Sequence, residues 1–113
     1  MTLRHATLRQ LQVFEAVARQ LSFSRAAAEL HLTQPAVSMQ VKLLEGSAGL
    51  PLFERIGKKI FQTEAGVELQ QHSRVIAQQL RDADEALAAR KGLSQGRLLI
   101  TMVSTAKYLV PPL

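Results

Sequence analysis

The chain has 113 residues, enough for one modest domain, and 47% of them are hydrophobic, so a core can form and general disorder is excluded. It has no cysteine, which rules out disulfide frameworks, thiolate–zinc sites and cysteine nucleophiles, and no run of about 18 apolar residues to span a membrane. The net charge of +5 is uneven: residues 1–62 hold eight Lys/Arg against four acids and residues 63–96 four against five, with Arg97 and Lys107 beyond, so the first half is the candidate polyanion-binding half.

The opening residues MTLRHATLRQ lack an apolar signal core, which predicts a cytoplasmic protein. Thr7 followed by Gln10 is a capping box, and Leu8, Leu11, Phe14, Val17 or Ala18, and Leu21 then recur at helical spacing. This predicts a first helix over about residues 8–20, with Arg9, Gln12, Glu15 and Arg19 solvated. Ser24 is the expected N-cap of a second helix over residues 25–31. Ala26, Ala27 and Ala28 allow another helix close approach, Leu30 and Leu32 anchor it, and Phe23 plugs the core ahead of it. Thr33 is the cap of a third helix, with Pro35 in its first turn, where a missing amide is harmless. Val37, Val41, Leu44 and Ala48 form its buried stripe, and Gly46 and Gly49 its end. At 100° per residue, Pro35, Ser38, Met39 and Lys42 face away from that stripe, with Gln34 at the exposed tip.

The runs Pro51–Arg55 and Lys59–Gln62, set around Ile56-Gly57-Lys58, predict a small hairpin with a basic tip. Helix–turn–helix followed by such a hairpin is a winged helix–turn–helix. The fold class is therefore mainly α: a winged domain over residues 1–62 and a long dimerisation helix over residues 63–92. Thr63 caps that helix, which runs from Glu64 to Lys91 with Gly92 as its stop. Leu69, Ser73, Ile76, Leu80, Ala83 and Leu87 step by four and three, as in a coiled-coil seam. The plainer alternative is that the first half of the helix packs on the domain and the remainder frays. Leu93–Gly96 is the expected hinge, and Arg97–Thr105 an expected strand with no partner. Residues 93–113 are thus expected to be the truncated start of a further domain.

Together these elements resemble the N-terminal part of LysR-type transcriptional regulators. The resemblance rests on LRQLQVFEAVARQLSFSRAAAELHLTQPAVSMQVKLLE, on the spacing to LPLFER, and on TEAG ahead of the long helix, and it covers residues 4–92. It implies a winged DNA-binding domain, a linker helix that dimerises, and a missing domain that binds a small effector. It also implies four subunits on a longer operator in the intact protein. LFERIGKKIF and MVSTAKYLVP look further like the regulators of Calvin-cycle (cbb) carbon-fixation operons, which respond to metabolites of that cycle. Ser104 and Thr105 either line the effector pocket of the whole protein or simply end a strand. Two residues depart from the family pattern: Met39 stands where many members carry Arg, and Gln62 where an apolar residue usually precedes the threonine.

The expected partner is double-stranded promoter DNA. Phosphate or minor-groove contacts fall to Ser24, Arg25, Thr33, Lys42, Arg55, Lys58 and Lys59, each of which taken singly is also an ordinary polar surface residue. Base reading falls to Gln34, Pro35, Ala36, Ser38 and Met39. Gln can bond an adenine edge, while Pro, Ala and Met can touch thymine methyls, so such a reader leans towards A·T pairs. His5, His31 and His72 lack metal-ligand spacing, and no nucleophile elbow, phosphate loop or zinc-protease motif occurs. No enzyme, metal or cofactor is expected. The competing reading is a coiled-coil protein-interaction module that binds no DNA.

Overall fold

A computed structural model describes the backbone of residues 2–109 and the side chains of residues 2–93. A 3₁₀ turn (Leu3–His5) leads into α1 (Leu8–Gln20), α2 (Phe23–Leu30) and α3 (Gln34–Ala48). The strands β1 (Phe53–Ile56) and β2 (Lys59–Gln62) follow, and α4 (Glu64–Leu109) ends the described chain. Two compact units divide it, Met1–Ala77 and Gln78–Leu113. Among the described residues no helix is long and apolar enough to cross a membrane.

The capping box is present: Gln10 N donates to Thr7 Oγ1 and Thr7 N to Gln10 Oε1. α1 buries Val13, Phe14, Ala16, Val17 and Ala18, while the ends of the expected stripe, Leu8 and Leu21, are exposed. Ser24 is not the cap of α2. Leu21 closes α1 in the left-handed region (φ 49°), which turns Ser22 into the extended conformation, so the Ser22 hydroxyl accepts from Arg25 N at 3.1 Å. Phe23 accordingly opens α2 instead of preceding it.

His31, also left-handed (φ 56°), ends α2, and Leu32 N donates back to the Ala27 carbonyl at 2.9 Å. Only His31, Leu32 and Thr33 separate α2 from α3. Ala26 and Ala27 are buried against Val13, Ala16, Val17, Val37 and Val41, so the absence of bulk on α2 brings α3 close. Ala28 is exposed. A second cluster joins Phe14, Ala18 and Leu44 to Leu52 and Leu69.

Arg19 is not a free surface cation. Its guanidinium forks onto the Glu29 carboxylate at 2.8 and 2.6 Å, tying α1 to α2, and Gln20 Nε2 donates to the same group at 2.8 Å. The hydrogen bonds from Arg19 and then Gln20 hold the Glu29 carboxyl at about 2 against an ordinary 4.5, and the same pairing raises Arg19. A lowered folded-state value means that the stabilisation is complete above the unfolded value and disappears as pH falls through the folded one. The stability difference between wild type and Glu29→Gln should therefore be constant above the ordinary carboxylate range. It should close between about pH 4.5 and about pH 2, as read from urea midpoints across that range.

The hairpin is shorter than expected at its first strand. Pro51 lacks an amide, and the amide of Leu52 donates to Glu45 Oε2 at 2.7 Å, so pairing starts at Phe53. The register is Phe53↔Gln62, Glu54↔Phe61, Arg55↔Ile60 and Ile56↔Lys59, leaving Gly57-Lys58 as the turn. Gly57 has φ 64°, as the first central position of such a two-residue turn requires. Gln62 is accommodated at the base of the wing, where its Nε2 donates to Gln70 Oε1 at 3.0 Å.

Thr63 caps α4: its hydroxyl accepts from Gly66 N at 3.0 Å and donates to the Pro51 carbonyl at 2.7 Å. Gly92 does not stop the helix, and neither the hinge at Leu93–Gly96 nor the strand at Arg97–Thr105 is found. The backbone is helical through to Leu109. Glycine lowers helix propensity without ending a helix unless something competes, and a strand with no partner leaves its backbone groups unpaired. The side chains of Ser104 and Thr105 lie outside the described residues.

Candidate nucleic-acid interface

Gln34 opens α3 with Pro35 next to it, and the Thr33 hydroxyl accepts from Ala36 N at 3.3 Å. Thr33 is thus the cap, and its hydroxyl proton remains available for a phosphate oxygen. Val37, Val41 and Leu44 are buried, and Ala48 half-buried. This turns Gln34, Pro35, Met39 and Lys42 outward, with Met39 63% exposed. Ala36 and Ser38 are half-buried at the margins of the same face.

The structure gathers several of the expected contact residues around one concavity. A pocket of about 160 Å³ is lined by Leu21, Ser22, Phe23, Ser24, Gln34, Arg55, Lys58 and Ile60. The start of α2, the tip of α3 and the wing therefore border a single surface. Ser24 is exposed and relieved of capping, so its hydroxyl is free, and Arg25 is exposed beside it. Lys59 is not part of the concavity; it pairs with Ile56, so it points to the other face of the hairpin from the Arg55–Ile60 pair.

Charge is sorted as well as placed. Of the four acids in residues 1–62, Glu15 and Glu29 face Arg19 and Arg74, and Glu45 holds the Leu52 amide. Among the described residues, Arg25, Lys42, Arg55, Lys58 and Lys59 enter no salt bridge. Unpaired cations around an outward helix are what a polyanion needs. Among the described residues no cluster of acids and histidines could hold a metal ion.

Ser22 and Phe23 belong to this surface and were not expected there. SFS offers two serines with equal capping chemistry, and only the left-handed Leu21 selects Ser22. The helical seam also needs correction. Leu69 packs into the Phe14–Leu44–Leu52 cluster and Ser73 is buried with Oγ unpartnered, so both face their own chain. Ile76, Leu80, Ala83 and Leu87 are exposed.

Residues 8–67 match the family of bacterial regulatory helix-turn-helix proteins, lysR family. The chain belongs to that family. It is 57% identical, over 96% of its own length and 36% of the relative's, to the RuBisCO operon transcriptional regulator of Allochromatium vinosum. It is 56% identical, over 98% and 38%, to the HTH-type transcriptional regulator CbbR of Rhodospirillum rubrum. The chain thus spans little more than a third of these curated relatives. Among solved structures, the CbnR_DBD–DNA complex matches 74% of this chain and 97% of the other, with TM-score 0.67 and 36% identity. The BenM_DBD/catB site 1 DNA complex matches 78% and 96%, with TM-score 0.65 and 31% identity. The chain carries a LysR-type winged helix–turn–helix DNA-binding domain, and its relatives place it with the cbb regulators.

Proposed function

We propose that this chain is the operator-binding module of a regulator of carbon-fixation genes, engaging double-stranded promoter DNA as a homodimer. The observation that carries the reading is the concavity where Gln34, Ser24, Arg55 and Lys58 meet beside the outward face of α3, its cations in no salt bridge among the described residues. Gln34, Pro35, Ala36, Ser38 and Met39 read bases, while Ser24, Arg25, Thr33, Lys42, Arg55, Lys58 and Lys59 grip the backbone or an adjacent minor groove. The exposed part of the seam, Ile76, Leu80, Ala83 and Leu87, joins two copies so that paired half-sites are read together. The greater length of the relatives supports a further domain. In the whole protein that domain binds a small metabolite and four subunits share an operator in the bacterial cytoplasm. The module itself is a binder and not an enzyme, and needs no cofactor.

The test is a footprint at low and moderate salt on DNA from beside the native gene. Paired protected half-sites are expected, and their absence at low salt would leave the coiled-coil interaction module in its place. Two variants separate reading from grip. Gln34→Ala should lower discrimination by ~1–3 kcal/mol at one base pair. Lys58→Ala should weaken all sequences alike and flatten the salt dependence. Exchanging A·T for G·C pairs in a protected half-site should lower affinity; unchanged binding would remove the A·T preference.

A further inference from the structure

Arg55 differs from the other wing cations in having a platform. It shares the inner face of the hairpin with Phe53 and with Ile60, its cross-strand partner, and Ile60 is buried. Its guanidinium carbon lies 5.5 Å from the centroid of the Phe23 ring. Phe23 is itself held edge-on by Phe53 at 5.9 Å, and Phe53 rests on fully buried Phe14 at 5.4 Å. Three rings thus run from the core of α1 to the first residue of α2, and a cation sits over the last. Among the described residues no carboxylate pairs with Arg55, so the ring face is what orients it. An unsupported arginine samples many rotamers, and ordering it on binding opposes affinity; a stacked one is already ordered. A two-stranded hairpin is also marginal alone, so the wing depends on the body of the domain for its position.

We infer that Phe23 is a positioning residue for DNA binding: its ring holds the Arg55 guanidinium beside the tip of α3, where it meets the DNA backbone. Phe23 acts through Arg55 and touches no DNA. The inference rests on the DNA-binding reading above.

The probe is a duplex recovered by wild-type selection from a random-sequence library, with binding followed across a salt series. If no duplex is recovered, the DNA-binding reading fails, and this inference with it. With a duplex in hand, Phe23→Leu keeps apolar bulk but removes the ring. It should weaken binding several-fold at every salt concentration, because Arg55 must then be ordered on binding, while the log–log slope stays near that of wild type, since the charge remains. Arg55→Met should weaken binding at least as much and also flatten the slope by about 0.9 for each wing, the contribution of one phosphate. The double variant should lose no more affinity than Arg55→Met alone. Phe23→Tyr, which keeps the ring face, should bind as wild type does. If Phe23→Leu does not fold, Arg55→Lys carries the test, since it keeps charge and slope without the planar face and should lose affinity. Wild-type affinity in Phe23→Leu or Arg55→Lys, or strictly additive losses in the double variant, would overturn the inference while leaving DNA binding intact.

Discussion

Gly66→Ala should destabilise the winged domain by about 2–4 kcal/mol, the sum of a steric overlap and weakened hydrogen bonding. A Cβ at this position would stand 2.2 Å from the Leu52 carbonyl oxygen and 3.1 Å from its carbon. Both are backbone atoms, so no rotamer change relieves the overlap. Leu52 cannot retreat freely. Its side chain fills the cluster with Phe14, Leu44 and Leu69, its amide is held by Glu45, and its carbonyl accepts from Thr63 N at 3.1 Å. The substitution must push α4 away from the base of the wing, which loosens the hairpin and the Thr63–Pro51 bond with it. Gly46→Ala is the control. Nothing lies within 4 Å of a Cβ there and the position is helical, so a gain of about 0.5–1 kcal/mol is expected. Urea denaturation of the two variants should move in opposite directions; equal midpoints would mean that the α4–Leu52 approach is not a constraint.

Leu80→Glu combined with Leu87→Glu should separate the proposed dimer and lower operator affinity by about 10²–10⁴-fold, the scale of a lost intramolecular second contact. These leucines are 40% and 65% exposed, so in a single chain they sit largely in water, and like charges placed across a seam repel. Because neither belongs to the two core clusters, the melting of the winged domain should hardly change. Leu69→Ala should behave in the opposite way: it empties part of the Phe14 cluster and should cost about 2–5 kcal/mol of domain stability. Sedimentation of the double variant as a dimer, with undiminished affinity, would show that the copies meet elsewhere.

The sequence was most readable where one local rule acts on neighbouring residues. Thr7 with Gln10, Thr33 with Pro35, and the 4–3–4 spacing from Val37 each concern a single turn or face, and the observed caps and burial follow them. It was least readable where two local answers were equally good. Ser22 and Ser24 both make fine caps. The choice lay in the left-handed closure of α1 at Leu21, a backbone state that no leucine advertises. The seam misled for a related reason: Leu69 and Ser73 keep its period, but helical spacing does not say whether a stripe meets its own domain or a second copy. The strand expected at Arg97–Thr105 rested on composition. Apolar, β-prone residues become a strand only beside another strand, and among the described residues the one sheet pairs β1 with β2 alone.

The amino-acid sequence alone determined the helix–turn–helix, the wing and the outward placement of Gln34, Pro35, Met39 and Lys42, because capping, periodicity and turn chemistry act over a few residues, and its motifs carried the resemblance to the family. Tertiary structure decided which cations are free. Arg19 reads in the sequence as one more surface base, yet the fold places it on Glu29 ten residues away and, among the described residues, leaves Arg25, Lys42 and Lys58 without a salt bridge. It also decided that Arg55, a lone charge in the sequence, lies over a phenylalanine from another element. Contacts of that kind join residues that no local rule relates, so they exist only once the core has set the helices and the wing in place.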